Sequence, residues 1–196
     1  KNGVVDIASF AMDGYSESIP LETALESQVL IAYLMNNEPL PRKHGFPARL
    51  VIPGLYGEKS TKWLTKLEAV DHDFLGFWQQ NGWGDSGVIR STSQIRIPKK
   101  SVAITDGSVL VVQGFAFTGD KGVSNVEISP DDGHTWIPTI LRKPLSAYAW
   151  VLWTAEWSPP RNGKFNLMVR ATDGQGIKQV SEVKIAHFNK PLSVGK

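Results

Sequence analysis

The sequence predicts a mainly β protein, in which an immunoglobulin-like β-sandwich follows an incomplete α+β piece. About seven short apolar segments in about 100 residues, separated by turn signals, are typical of such a sandwich. An alternation of apolar and polar residues supports the prediction of strands. The odd positions from Phe165 to Ala171 are apolar, whereas most even positions are polar. Before residue 90 the segments are of mixed type, which indicates helix and strand together.

The predicted strands of the sandwich are VLVVQGFAF, NVEIS, WIPTIL, YAWVLWTAEW, KFNLMVRAT and KQVSEVKIA, at residues 109–117, 125–129, 136–141, 148–157, 164–172 and 178–186. Turn signals rich in Asp, Asn and Gly occur at residues 106–107, 131–133, 161–163 and 173–176. Residues 91–100 are the predicted boundary, and Pro98-Lys99-Lys100 within them is predicted to be an entry strand or linker. The predicted domains are therefore 1–90 and 91–196.

The first domain contains fewer signals. Ser18 is the predicted N-cap of a helix, with Pro20 in the first turn and apolar residues on one face after it. The segment VLIAYLM, residues 29–35, is predicted to be a buried strand or a short helix. These elements are too few to close a good core alone, so we expect residues 1–90 to be part of a larger domain.

Composition excludes several classes of function. The 196 residues are 41% hydrophobic with a net charge of +2, and basic and acidic residues are interspersed, so no general nucleic-acid surface is predicted. There is no cysteine, which excludes disulfides, thiolate metal sites and cysteine nucleophiles within the chain. No apolar run approaches the roughly 20 residues of a membrane span.

A basic, glycine-containing stretch at residues 44–70 raises the question of an anion site. A P-loop is rejected, because aligning Lys59 with the motif lysine puts Pro53 and Glu58 where its two glycines belong. His44 and Arg49 could still donate to an anion, together with the residues Ser60-Thr61-Lys62. The competing interpretation is structural, with a histidine bonded to a loop and an arginine stem covering apolar surface. Spacing alone favours that interpretation.

The same stretch nevertheless resembles a known family. Residues 43–54, KHGFPARLVIPG, and 60–64, STKWL, are similar to the end of the molybdenum-cofactor domain of the sulfite oxidase family. Upstream, DGY at 13–15 and SIPL at 18–21 agree in collinear order. Downstream, VEIS and DGHTW resemble the family's dimerisation domain, which is an immunoglobulin-like sandwich. The resemblance spans nearly the whole chain.

The resemblance implies a molybdenum-molybdopterin cofactor in the parent protein. The family's pterin and phosphate contacts fall on His44, Arg49, Ser60, Thr61, Lys62 and Asp13. Asp6 is the alternative to Asp13, since that loop varies in length. Fixed cationic donors suit a dianionic phosphate, and arginine offers a bidentate fork where lysine offers a point charge.

Two departures from the family pattern limit what is implied. The family binds molybdenum through a cysteine in the N-terminal half of its catalytic domain, so we expect no metal ligand, no bound cofactor and no activity in this portion alone. Sulfite-oxidising members carry a tyrosine close to the metal where this sequence has Trp83. Trp83 is therefore a candidate substrate-pocket residue, and sulfite is a default substrate.

The resemblance also implies partners. A homodimer through the sandwich, the N-terminal half of the catalytic domain and an electron acceptor such as a cytochrome are expected. Export to the periplasm or cell envelope of a bacterium is expected, with a cytoplasmic location as the alternative. The competing function is a non-catalytic immunoglobulin-like binding or assembly module without cofactor.

Other chemically capable residues are predicted to be structural. Strand alternation places Trp153 and Trp157 on one face and Trp150 on the other, which indicates packing rather than a sugar platform. His134 is predicted to be a solvated turn residue. The remaining candidates lack partners at zinc-ligand spacing or a cleft for paired carboxylates: His72, His187, Asp71 and Asp73.

Overall fold

The computed structural model describes residues 3–99, 107–161 and 165–180. The chain divides into two compact units, Lys1–Arg90 and Ser91–Lys196. The predicted turns at 106–107 and 161–163, His187 and most of the segment 178–186 lie wholly or partly outside the described residues. The described residues contain no helix with the length and apolarity that a bilayer crossing requires.

Over its described residues, 3–90, the first unit contains seven short strands and two one-turn helices. Its strands are β1 (Asp6–Ala11), β2 (Ser16–Pro20), β3 (Leu30–Ala32), β4 (Leu34–Met35), β5 (Glu38–Pro39), β6 (Arg49–Val51) and β7 (Leu64–Val70). Its helices are α1 (Leu21–Ala24) and α2 (Phe77–Gln80), and 3-10 turns occur at Arg42–His44 and Gly57–Lys59. One antiparallel sheet has the order β2-β1-β7, while β3 pairs with β6 and β4 with β5.

Two expectations about this unit were wrong. Ser18 does not cap a helix: it lies buried inside β2, and its hydroxyl donates to the carbonyl of Phe74 at 2.6 Å. The helix begins only at Leu21, with Pro20 at the N-cap and no side-chain capping bond. The segment 29–35 contributes the strands β3 and β4, but it is not buried, since Leu30 and Ile31 are each 49% exposed. The main cluster of buried apolar side chains in the described part of the unit is correspondingly small, with Ile19, Leu50 and Ile52 at its centre.

The second unit is a β-sandwich, as predicted. Its strands are β8 (Thr92–Ile97), β9 (Leu110–Phe117), β10 (Val123–Ser129), β11 (Ile137–Pro138), β12 (Ile140–Leu141), β13 (Val151–Trp157) and β14 (Met168–Asp173). They form two antiparallel sheets with the orders β11-β10-β14 and β12-β13-β9-β8. The strand β8 lies within the predicted boundary, residues 91–100, and ends at Ile97, just before the residues Pro98-Lys99 of the predicted entry strand or linker.

The core of the sandwich follows the predicted alternation. Trp153 and Trp157 are buried between the sheets, whereas Trp150, just before β13, is 56% exposed, which confirms that Trp150 lies on the other side of the sheet. Trp153 packs on Gly114, where an added Cβ would lie 2.5 Å from the indole and 1.9 Å from the carbonyl of Gln94. Glycine is therefore required at that position by close approach.

The opposite face of the four-stranded sheet carries exposed apolar residues among polar ones such as Gln113 and Glu156. Leu152 pairs with Phe115 across β13 and β9, and the ring of Phe115 lies 4.2 Å from that of Trp150. Beside them, Val111 is 43% exposed and Ile140 is 72% exposed. We call these five residues, Val111, Phe115, Ile140, Trp150 and Leu152, the outer sheet face.

Candidate functional site

The predicted cofactor residues His44, Arg49 and Lys62 meet around Gly45. The 3-10 turn Arg42–His44 ends at Gly45, whose φ of +110° lies in the left-handed region that favours glycine. A Cβ at Gly45 would approach the Cβ atoms of Arg49 and Lys62 to 3.0 and 3.1 Å. The turn is therefore packed directly between the stems of the two cationic residues.

Arg49, the first residue of β6, is held by carbonyl groups. Its Nη1 donates to the carbonyl of His44 and its Nη2 to that of Ser60, both at 3.2 Å. Partial burial lowers the pKa of its guanidinium. Within the described residues no carboxylate forms an ion pair with it. The arginine is thus positioned, while its charge is not neutralised by a described acid.

Lys62 is similar. Its ammonium donates to the carbonyl of Lys43 at 3.4 Å and lies 4.6 Å from the ring centroid of Trp63. The indole of Trp63 in turn donates to the carbonyl of Arg42 at 2.8 Å. Lys62 therefore has weak partners and, in the described part of the chain, no ion pair with an acid.

Ser60 and Thr61 lie beside these cations, but their hydroxyls face the fold. The Ser60 hydroxyl accepts a bond from the amide of Ile52 at 3.1 Å, and the Thr61 hydroxyl lies 2.7 Å from that of Ser9. Both residues are buried. Their hydroxyls therefore fix the turn that carries Lys62, and their predicted direct contact with a cofactor stays a prediction.

The two candidate aspartates occupy different environments. Asp13 is exposed in the turn after β1, accepts a bond from the amide of Tyr15, and follows Met12, whose amide donates to the carbonyl of Trp63. That bond brings the turn next to the residue after Lys62. Asp6 is 5% exposed and accepts a bond from the amide of Phe74 at 2.9 Å. The geometry thus places Asp13 nearer the cationic residues and gives Asp6 a structural partner.

Trp83 lies just after α2. Its amide donates to the carbonyl of Trp78 at 3.0 Å, and the two indole rings are 4.6 Å apart. It is partly buried. The structure therefore holds this side chain against the helix, in a segment that runs from Gln79 to Asp85.

A buried ionic cluster was missed by the sequence analysis. Lys59 is 1% exposed, and its ammonium donates to Glu17 at 3.0 Å, to Asp85 at 2.9 Å and to the carbonyl of Ser18 at 3.1 Å. All three of its protons therefore have acceptors. The two acids lie 42 and 26 residues away in the sequence, so no local pattern signals the cluster.

Glu17 is completely buried and has further donors. With its amide nitrogen facing Glu17, Gln79 donates to both carboxylate oxygens at 2.9 and 3.1 Å. The hydroxyl of Tyr15 donates to Glu17 at 3.3 Å and to the carbonyl of Glu58 at 2.8 Å. Burial, with the nearby Glu17 charge, raises the pKa of Tyr15 above its usual value and also that of Glu58. We call Tyr15, Glu17, Lys59, Gln79 and Asp85 the Lys59 cluster.

Two histidines of the described residues lie outside the cofactor residues and the Lys59 cluster. His134 is exposed in a turn, as predicted, and His72 forms an exposed pair with Asp71. The described residues include no group of three potential metal ligands.

Two family profiles match the chain. The oxidoreductase molybdopterin binding domain covers residues 2–78, and the Mo-co oxidoreductase dimerisation domain covers residues 88–185. Human mitochondrial sulfite oxidase is 34% identical over 184 residues, which is 81% of this chain and 34% of the relative. The uncharacterized oxidoreductase YuiH of Bacillus subtilis is 40% identical over 87 residues, 42% of this chain and 44% of YuiH.

A solved structure agrees with these matches. The sulfane dehydrogenase SoxCD from Paracoccus pantotrophus aligns with a TM-score of 0.76 and 25% identity over 91% of this chain and 49% of that chain. The chain spans about a third of the length of the sulfite oxidases it matches. It belongs to the molybdopterin oxidoreductase family that includes sulfite oxidase, with the end of the cofactor domain followed by the dimerisation domain.

Proposed function

We propose that this chain is the C-terminal portion of a molybdenum-cofactor-dependent oxidoreductase, to which it supplies pterin and phosphate contacts and a homodimer interface. One observation carries the cofactor role: Arg49 and Lys62 converge on Gly45 without a described acid as partner. Partly buried cations without an acid are unfavourable unless an anion completes the site.

The donor set fits the phosphate of the cofactor. Arg49 is already oriented by the carbonyls of His44 and Ser60, so little side-chain freedom remains to be lost on binding. Lys62 adds a point charge, and the ring nitrogens of His44 suit the polar edge of a pterin. When bound, the molybdenum centre would supply two-electron oxygen-atom chemistry, while these residues orient the cofactor and balance its charge.

The metal ligand must come from elsewhere in the parent protein, because this chain has no cysteine. The exposed β3 and β4 are consistent with a larger catalytic domain, since Tyr33 is 66% exposed and Leu34 is 44% exposed. Exposed apolar residues of this kind mark surfaces that a partner segment covers. We propose that the N-terminal half of the domain covers them, and that this portion alone is inactive.

Sulfite is the substrate to test first, because relatives named sulfite oxidase match 81% of the chain. Trp83 is the proposed pocket residue that distinguishes this protein from the tyrosine-bearing pattern.

A cytochrome is the proposed electron acceptor, and a bacterial periplasm or cell envelope is the proposed location. Fractionation of the native host and reduction of its c-type cytochromes by the purified protein test both points.

The outer sheet face is the proposed dimer surface. Leu152 is paired with Phe115, whose ring packs on Trp150, so these three residues form one apolar patch, whereas the pair Thr154 and Gln113 separates them from Val111. Isologous pairing of such a face gives the commonest oligomer symmetry. Sedimentation of the parent protein should show a dimer, and Leu152→Lys at the centre of the face should shift it to monomer. Dimerisation unchanged by that substitution would move the interface elsewhere.

Molybdenum content tests the cofactor role. We expect near-stoichiometric molybdenum, by elemental mass spectrometry, in the parent protein purified from its host, and a large loss in Arg49→Ala and Lys62→Ala. Arg90→Ala, at an exposed arginine of the same unit, is the matched control and should retain the metal. A wild-type protein without molybdenum would instead support the non-catalytic assembly module.

A further inference from the structure

The Lys59 cluster connects two parts of the proposed site, the turn that carries Lys62 and the segment around Trp83. Lys59 immediately precedes Ser60, Thr61 and Lys62, and its ammonium reaches Asp85, two residues after Trp83. Gln79, four residues before Trp83, bonds to the same Glu17 that accepts from Lys59. The cluster therefore holds residues 79–85, which we call the Trp83 segment, at both ends.

Close backbone packing accompanies these bonds. An added Cβ at Gly87 would lie 2.7 Å from the Cγ of Lys59, and one at Gly76 would lie 2.7 Å from the Cα of Glu17. The amide of Tyr56 also donates to the carbonyl of Gly87 at 2.7 Å. The segment from Gly76 to Gly87 therefore lies directly over the buried ion pair, and only residues without a side chain fit at those two contacts.

We propose that Lys59 is a positioning residue, which acts through Asp85 and Glu17 to hold the Trp83 segment in a fixed place against the turn that carries Lys62. The inference rests on the proposed function, because it assumes that both parts face one cofactor. The two ion pairs of the buried ammonium support it. Glu17 alone would balance the charge of Lys59, so a lysine that only stabilised the turn would not need the second carboxylate, which the Trp83 segment supplies. Lys59 itself touches neither substrate nor cofactor in this proposal.

Asp85→Asn is the sharpest test. Asp85 is 42% exposed in its side chain, so the substitution removes one ion pair without opening the core, and Lys59 keeps Glu17. Asp73→Asn, at an exposed acid of the segment before α2, is the matched control. Both variants are made in the full-length parent protein, and molybdenum content and the melting temperature are measured for each.

The readout is kinetic and spectroscopic. With sulfite as probe and ferricyanide as acceptor, Asp85→Asn should lower kcat about tenfold or more, the scale of a slight misplacement of a reacting group. Its molybdenum content should stay at the wild-type level, and the electron paramagnetic resonance signal of Mo(V) should change. A charge-retaining Lys59→Arg should keep more activity than Lys59→Met, if both fold.

The outcomes separate the two proposals. Wild-type protein without molybdenum overturns the proposed function. A wild-type protein with molybdenum, combined with an Asp85→Asn variant that has wild-type kcat and an unchanged Mo(V) signal, overturns the positioning role alone. A variant that loses kcat only in proportion to lost molybdenum or folded protein also overturns it, because the cluster would then act on stability.

Discussion

Two lysines three residues apart in this chain have opposite environments. Lys59 is buried with two carboxylates and a carbonyl around its ammonium. Lys62 is partly exposed, with one long bond to a carbonyl and an aromatic ring beside it. The same residue type therefore stabilises the fold at one position and is available for an anion at the other. The partners that the fold supplies, and not the sequence motif, decide the role.

The largest expected effect is the stability difference between these lysines. Lys59→Met leaves the buried Glu17 without its cation, and breaking a buried pair in this way costs about 3 to 5 kcal/mol. Lys62→Met removes only weak contacts and should cost less than about 1 kcal/mol. Chemical denaturation of the two variants in the cofactor-free parent protein measures both values, since bound cofactor would add its own stabilisation. Equal losses would show that Lys62 has a structural partner as important as that of Lys59.

A second prediction concerns the guanidinium of Arg49, whose several N–H groups can bond to carbonyls and to a phosphate at the same time. Arg49→Lys keeps the positive charge but cannot donate to the carbonyls of His44 and Ser60 while also facing a phosphate. Loss of one charge-assisted hydrogen bond, about 1.5 to 3 kcal/mol, corresponds to roughly tenfold or more weaker retention of the cofactor. After dialysis, the molybdenum content of Arg49→Lys should therefore be lower than that of wild type and higher than that of Arg49→Ala. Full retention would mean that charge alone is sufficient.

The third prediction uses a double-mutant cycle. Lys59→Met and Glu17→Gln affect the same contact, so the double variant should be less destabilised than the sum of the two single variants, with a coupling of about 0.5 to 3 kcal/mol. The matched cycle of Lys62→Met with Glu17→Gln should be additive within about 0.5 kcal/mol. Additivity in both cycles would contradict the energetic importance of the Lys59 to Glu17 contact.

The difference between the two lysines also shows how far the sequence could lead. Period-two alternation predicted the faces of Trp150 and Trp153, because it depends only on neighbours within one strand. Pro20 after Ser18 resembled a helix start, although pairing with β1 overrides that local signal. The Lys59 cluster could not be predicted, since its acids come from β2 and from the segment after α2.

The site shows the same limit. The spacing of His44, Arg49 and Lys62 could be read from the motif, but not the left-handed Gly45 that packs between them. The inward direction of the Thr61 hydroxyl also depends on a partner 52 residues away, Ser9. Motif resemblance thus indicates which residues belong to the site, and tertiary packing determines which atoms remain available.

The smallest expected effect is a pH dependence of stability that arises from Tyr15. It tests whether the Lys59 cluster excludes water. Burial and the nearby Glu17 raise the pKa of Tyr15 in the folded chain above the ordinary value of about 10. Above that pH the unfolded chain releases a proton that the folded chain retains, so this contribution to stability is complete below pH 10 and is lost as the pH rises toward the folded pKa. Melting temperature should therefore fall more steeply from pH 9.5 to 11 in wild type than in Tyr15→Phe. Tyr33→Phe, at a tyrosine that is 66% exposed, is the control and should keep the wild-type slope. Identical slopes in all three proteins would place water at the Tyr15 hydroxyl and weaken the contrast between the two lysines.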